Sequence, residues 1–483
     1  MKKIALFFLS FLVFGCTNFL QIEPLQEVSI KQQLGNLTGV KQALNGAYKA
    51  TEDIVSDFSF LYPDVVAGNI RFTPTPSGSN TGVISIASDV DTSYSFTNTP
   101  LITNFSSTYA NCYKAINNLN LILQYSPDLP DASVSEKNQI KAECLAMRGF
   151  LHFYLLQMYA QTYNYSANGS HFGIVYVTQT LQGGVDFPAR KSVAECYNLI
   201  VSDLQNALPL FTGTSALSGP AYSMFNIIST KAFLSKVALQ KQDYSLAVSL
   251  ANDVIATSGI SLLTASNYVS EWDKPSLPVS EVIFEMTAPV NSSGIVSSSV
   301  SSFYKYAAAS NYGRYACSND LYNLFDAQDI RRNCFKNQPL QVKIDATNFQ
   351  TQTFYFTRKH QDNPGTIVLR LSEIYLIKAE ALARLGNSSE ALTTLNIIHQ
   401  RANLPAFTSS VTILEEIFIE RRKELCFETN FLFDTARFNK NIIRNLDCIS
   451  ILCNLNYPNF KFILPIPQQS ISVNSNMIQN EGY

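Results

Sequence analysis

The sequence predicts a mainly α protein, a helical-repeat scaffold that carries a long irregular, loop-rich region and few short strands. Three observations lead there. Apolar residues recur at helical spacing in long blocks, two of those blocks read as copies of one hairpin, and two stretches between them lose the helical pattern.

From the N-terminus, Lys2 and Lys3 precede an uncharged run, residues 4–15, that stops on Cys16. A basic start, a short apolar core and a small residue before a processing point make a secretory signal, and the run is shorter than the roughly 20 residues a bilayer-spanning helix needs. Gly15 directly before Cys16 is the pattern of a bacterial lipoprotein signal, in which the thiol receives a diacylglycerol. Residues 1–15 are then removed and Cys16 becomes a lipid-anchored N-terminus. No later segment is apolar enough to span a membrane, so residues 16–483 should form one water-soluble unit on a tether.

The helical blocks cover residues 40–54, 105–124, 139–163, 192–208, 226–240, 244–257, 369–385, 388–402 and 411–427. Several begin on capping residues or stop at Gly or Pro, as at Gly386 and Pro405. "KVALQKQDYSLAVSLANDVI" (236–255) aligns without gaps on "EALARLGNSSEALTTLNIIH" (380–399), each a helix, a polar turn and a second helix. Small residues at Ala247 and Ala391 let paired helices approach closely, which is how tetratricopeptide-like repeats stack. The repeats are placed at about 36–257 and 369–440. Between them, about 60–104 and 258–368 are rich in Ser, Asn, Gly, Pro and Tyr, with short strand-like runs such as "EVIFEM" and "TFYFTRKH". Long segments of this texture inside a compact chain are usually functional loops, so the ligand face is expected there.

Composition excludes several classes. A net charge of −2 gives no electrostatic footprint for nucleic acid. The four histidines are scattered and no CxxC pair occurs, so neither a metal site nor a cofactor is expected. No GxSxG elbow and no Walker-type phosphate loop is present. Eight cysteines follow Cys16; Cys448 and Cys453 are close enough to close a small loop, whereas most others sit in helical patterns as small buried residues. Glu420, Glu424 and Glu428 recur every four residues with basic residues between them. Two such carboxylates can hydrolyse a sugar bond, but this spacing on a helix more often makes ion pairs that fix packing, here extended by Asp434 and Arg437.

A sugar-binding face needs flat aromatics for stacking and amide or charged groups for hydroxyls. The loop regions offer Asn69, Arg71, Tyr94, Trp272, Tyr304, Tyr306, Tyr312 and Arg314, densest in "FYKYAAASNYGRYACSNDLY" (303–322). With 24 Tyr against one Trp, a face of this kind can grip a glycan or a peptide.

Several blocks also carry a resemblance. "CTNFLQIEP" (16–24), "CYKAINNLNLIL" (112–123), "AECLAMRGFLHFYLLQMYA" (142–160), "RLSEIYLIKAEALARLGNSSEALTTLNIIHQRANLP" (370–405), "EEIFIERRKELCFETNFLFDTARF" (415–438) and the closing "ILPIPQQSISVNSNMIQNEGY" resemble, in order and spacing, the RagB/SusD nutrient-binding lipoproteins of Bacteroidota. After Glu428 that family often has Gly and then Arg, where this chain has Thr429 and Phe431. The resemblance implies a non-catalytic surface lid on a TonB-dependent, SusC/RagA-like outer-membrane transporter, capturing oligosaccharide or peptide. A lipid-anchored glycoside hydrolase using Glu420 or Glu424, and a periplasmic scaffold, are the alternatives.

Overall fold

Polar caps set where the long helices begin in the computed structural model, which describes residues 29–274, 278–287, 299–360 and 365–483. The expected leader, residues 1–15, and the expected lipidation site, Cys16, lie outside the described residues. Asn36 accepts from the Gly39 amide at 2.9 Å to open α1 (Leu37–Val55). A left-handed Gly68 closes α2 (Tyr62–Ala67), and α3 (Ser106–Tyr125) follows a loop. Reciprocal Ser–Glu capping boxes, Ser133 with Glu136 and Ser192 with Glu195, open α4 (Val134–Tyr159) and α5 (Val193–Ala207). Each cap satisfies an amide the helix itself cannot, worth about 1 kcal/mol.

The two copied segments fold as copies. The hairpin of α6 (Ile227–Gln240) and α7 (Tyr244–Thr257) has the same element lengths as α8 (Leu371–Arg384) and α9 (Ser388–Arg401), 14 residues in every helix. Both turns pass through left-handed backbone, with φ 84° at Gly386 and 67° at the aligned Gln242. Glycine adopts that conformation at no steric cost and glutamine does not, so the shared turn was easier to see in the second copy. Ala247 and Ala391 are fully buried where the paired helices meet, and α7 packs on α8 so that the hairpins stack. Next come α10 (Ile413–Glu424) and α11 (Phe431–Arg437). The expected block to residue 427 ends early because φ turns positive at Phe427 and Thr429, 65° and 60°.

Residues 258–368 depart most from expectation, being more regular than their composition suggests. In chain order the strands are β1 (Ile70–Phe72), β2 (Val282–Met286), β3 (Tyr306–Ala308), β4 (Asn311–Tyr312), β5 (Tyr315–Cys317), β6 (Phe335–Lys343), β7 (Phe349–Thr357) and β8 (Thr366–Arg370). Four of them form an antiparallel sheet in the order β1-β5-β7-β6, β2 pairs with β8, and β3 with β4. Pro339 hid β6, because a proline cannot donate to a ladder; β6 is an edge strand, where proline is tolerated.

The principal core draws on residues from Leu34 to Met477. A second cluster joins α8, α9 and α10 through Leu376, Leu395 and Ile417, and a small one of Ala316, Leu340, Val342, Phe354 and Phe356 lies against the sheet. Polar bonds tie distant segments together: Arg422 Nε donates to Asn69 Oδ1 at 2.9 Å, the Phe427 amide to Asp64 Oδ1 at 3.2 Å, and Arg444 Nη1 to the Tyr94 carbonyl at 2.8 Å. Cys448 and Cys453 form a disulfide with Cα atoms 5.8 Å apart, and Cys112, Cys144, Cys196, Cys317, Cys334 and Cys426 are buried free thiols. Among the described residues no helix is long and apolar enough to cross a membrane.

Candidate functional site

One face of the sheet gathers four of the eight candidate ligand residues. Tyr306 and Tyr312 stand opposite each other in the β3–β4 hairpin, their rings 9° from parallel with centroids 6.1 Å apart. Both lean on Phe356 of β7, at 5.0 and 5.7 Å. Arg71 of β1 lies over Phe354 at 4.0 Å. Because Arg71 is in register with Ala316, which clusters with Phe354, Phe356 and the two tyrosines, these groups share one side of the pleat. Arg314, just before β5, is exposed beside them.

The two arginines differ in how much of their guanidinium is engaged. Arg71 pairs through Nε with Asp447 at 3.1 Å, donates through Nη1 to the Thr353 carbonyl at 3.1 Å and through Nη2 to Gln352 Oε1. Arg314 makes long contacts, Nη2 to the Ser85 carbonyl at 3.4 Å and to its hydroxyl at 3.5 Å. Gln350 and Gln352 extend the same side of β7 with amides, and sequence reasoning missed them because polar residues in an unrecognised sheet carry no periodic signal. Residues 74–86 close over the β6–β7 hairpin at Gly82, with φ 80° and space for no Cβ, which would meet the Phe349 ring at 2.7 Å. The arrangement offers two parallel aromatic faces, amides and one solvent-facing cation. Those groups can stack on and hydrogen-bond a polyhydroxylated chain.

The other four candidates are core residues. Tyr304 is fully buried between Phe427 at 5.2 Å and His360 at 6.3 Å, and its hydroxyl has no hydrogen-bond partner among the described residues. Trp272 is buried with Lys359 and Arg370 over its ring, at 5.3 and 5.7 Å. Tyr94 packs edge-on against Phe72 at 4.8 Å with Arg444 at 4.3 Å. Asn69 is fully buried, its amide donating to Asp64 Oδ1 at 2.7 Å. The large rings of Tyr94, Trp272 and Tyr304 gain most by turning inward, and Asn69 is held inside by its bonds to Asp64 and Arg422, so loop position alone did not place these residues.

The carboxylate series of α10 also lies inside the protein. Arg331 Nη1 meets Glu420 at 2.6 Å and Glu424 at 3.1 Å, and its Nη2 meets Asp329 at 2.8 Å. Arg370, with no exposed surface, meets Glu424 and Glu428 at 2.7 Å each and also Glu281. Arg401 adds to Glu281 and Glu424, and Lys359 to Glu428 at 2.6 Å. Asp434 and Arg437 join through Arg421 and Glu380. The partners therefore come mostly from other elements rather than from the intervening bases: Arg421 turns to Asp434, Arg422 to Asn69, and Lys423 approaches Glu420 at 3.6 Å.

This pairing fixes the protonation states. Burial alone would raise the Glu420 carboxyl, but Arg331, the His399 hydrogen bond and Lys423 outweigh it and bring it down to about 2. Burial likewise opposes ionisation of Glu424, and Arg401, Arg370, Arg331 and Lys359 together hold it well below the usual carboxylate range. Glu420 borders a cleft of about 960 Å³ with His399, Phe407 and Lys423, yet it enters that cleft as a paired anion. Among the described residues no group of His, Cys, Asp and Glu could hold a metal ion.

Residues 346–483 match the model of the SusD family, and residues 44–239 match a model described as starch-binding, associating with outer membrane. The chain belongs to the SusD/RagB family. It is 22% identical to SusD-like protein P38 of Formosa agariphila over 91% of this chain and 92% of that one. A SusD superfamily protein of Bacteroides thetaiotaomicron superimposes with a TM-score of 0.75 at 25% identity, over 92% of this chain and 99% of the other. A laminarin binding SusD-like protein superimposes at 0.70 with 21% identity, over 93% and 100%. The SusD-type fold is mainly α, as the helical periodicity predicted.

Proposed function

We propose that this SusD/RagB-family chain is a non-catalytic binding lipoprotein, anchored through Cys16 at the outer membrane and facing outward. It captures oligomeric nutrient, foremost oligosaccharide, and delivers it to a TonB-dependent transporter of the SusC/RagA type. The observation that carries this reading is the parallel Tyr306–Tyr312 pair with the exposed Arg314 beside it and Gln350 and Gln352 along the same side of β7, a face with stacking surface and polar groups. A laminarin-binding structural neighbour and a family model named for starch binding at the outer membrane support the glycan and the location. Peptide is the second ligand class, favoured by the burial of Trp272, which leaves the face to tyrosine.

The hydrolase alternative loses its acid. A glycosidase needs one carboxyl protonated near working pH, whereas Glu420 and Glu424 are held ionised by buried arginines. The test is titration calorimetry of the soluble body against laminarin oligosaccharides and a glycan and peptide panel. Tyr312→Ala and Arg314→Ala should each weaken the bound ligand about tenfold, the scale of one lost stacking or charged contact. Unchanged affinity in both variants would move the ligand elsewhere, and turnover of an oligosaccharide would make the protein an enzyme.

A further inference from the structure

The cleft of about 960 Å³ opens where α10 meets the loops 323–328 and 404–412, and none of Tyr306, Tyr312, Arg314, Gln350 or Gln352 lines it. Helical spacing brings Glu416, Glu420 and Lys423 to one face of α10, and that face forms one wall. His399, near the end of α9, stands beside them, 7% exposed. Its Nδ1 lies 3.0 Å from Glu420 Oε2, and its ring stacks on Phe407 at 3.9 Å. Phe407 is in turn held by the Asn396 side chain, which donates to its carbonyl at 3.0 Å and accepts from its amide at 2.8 Å. Those bonds fix the ring over His399, so little ordering of this loop remains to oppose binding.

Two buried side chains reach this cleft with bonding capacity to spare. Glu420 is an anion, so His399 Nδ1 donates to it, and the neutral ring then leaves Nε2 as an acceptor; among the described residues no hydrogen bond engages that nitrogen. Lys423 is 5% exposed, and among the described residues its ammonium makes only the long pairs with Asp329 at 3.5 Å and Glu420 at 3.6 Å. A partner that supplies the missing bonds to such groups gains more than it would at the surface. On the outer margin Asp326 is exposed and Glu416 half-buried, two carboxylates that accept hydrogens; Glu416 takes one from the Thr412 hydroxyl at 3.3 Å. Lys423 is already shared between two carboxylates, so the cleft is negative as a whole and disfavours an anionic ligand. A cationic ligand would suit the margin but meets Lys423 further in. Neutral hydroxyls both donate and accept, and satisfy the buried groups and the margin together. Leu324, Leu404 and Ile419 add apolar surface for the C–H faces of a sugar ring.

We propose that this cleft is a second carbohydrate site, taking a stretch of neutral oligosaccharide whose hydroxyls bridge His399 Nε2 and Lys423 Nζ. The proposal extends the oligosaccharide reading above to a separate place on the molecule. It is tested on the full-length protein carrying Tyr312→Ala and Arg314→Ala, which disable the sheet face, with a panel of neutral β-glucan, α-glucan, xylan and mannan oligosaccharides. Calorimetry should still find one site, and hydrogen exchange of residues 404–412 should slow about threefold with the sugar at about twice its Kd. Adding His399→Gln should weaken that binding about tenfold, and adding Asp326→Ala, on the exposed margin, about threefold. In the wild-type background both changes should leave the melting temperature and the sheet-face affinity as they were; should His399→Gln melt lower, Asp326→Ala alone decides. If no neutral sugar slows residues 404–412 while the wild-type protein binds one at the sheet, the cleft site is overturned and the oligosaccharide reading stands. If the wild-type protein binds no sugar at either place, both fail. Slowing of residues 404–412 by oligogalacturonate or by an oligolysine peptide, and by no neutral sugar, overturns the proposed ligand class.

Discussion

Around α10 and on the sheet face the chain uses the same vocabulary of arginines, aromatic rings and polar side chains, to opposite ends. Around α10, Arg331, Arg370, Arg401, Arg421 and Arg437 each meet two or more carboxylates or carbonyls and are shut away from water, while Arg422 is half-buried; on the sheet, among the described residues, Arg314 holds only long contacts to Ser85 and faces solvent. Tyr304 and Tyr312, eight positions apart in one loop, divide in the same way. What separates the two regions is the count of partners already engaged, not the residue type.

The contrast can be broken hardest at Arg370. Arg370→Met leaves Glu281, Glu424 and Glu428 facing one another without their shared cation, and should cost about 4 kcal/mol in urea denaturation, as loss of one partner of a buried pair does. A cost below about 1 kcal/mol would mean that the network relaxes as a surface cluster would. Tyr304→Ala comes next, since removing a fully buried ring leaves a cavity and should cost about 3 kcal/mol or more, whereas Tyr312→Ala on the open face should cost under about 1 kcal/mol. Comparable losses at both positions would dissolve the distinction between core and face.

Glu420 supplies a test by pH. Its folded pKa of about 2 lies below the ordinary 4.5, so its contribution is fully present above about 4.5 and is lost as pH falls towards 2. Glu420→Gln should therefore be less stable than wild type by about 2 kcal/mol at pH 7, with the gap closing by pH 2 to 3 in melting curves. A gap independent of pH would show that the charge of Glu420 is not what matters. The smallest effect is expected at Thr429, a β-branched residue held at φ 60° where the family often has glycine. Thr429→Gly should raise stability by about 1 kcal/mol, less whatever the Thr429 hydroxyl bond to the Glu428 carbonyl contributes.

Helices were legible because their signals are local. The capping serines and the 3.6-residue period lie within a turn or two, and the Ala247/Ala391 match compares one hairpin with another of the same length. The ion-pair network was legible only as a preference for pairing, since the partners of Glu424 come from Arg331, Arg370 and Arg401, on elements the sequence does not connect. The sheet was hidden by Pro339 and by strands of two or three residues, too short for a period of two to register. In residues 303–322 Tyr304, Tyr315 and Tyr322 turn inward and Tyr306 and Tyr312 do not. That choice belongs to the backbone path of the β3–β4 hairpin.

The bonds that join Asp64 to Phe427, Asn69 to Arg422 and Tyr94 to Arg444 span 350 residues or more. The first helices thus reach their final polar partners only once residues 422–444 have been synthesised. A chain emerging in order must hold its N-terminal third incomplete through most of its production, and closing such distant pairs is slow. Chains cut before residue 444 should therefore be collected as insoluble protein.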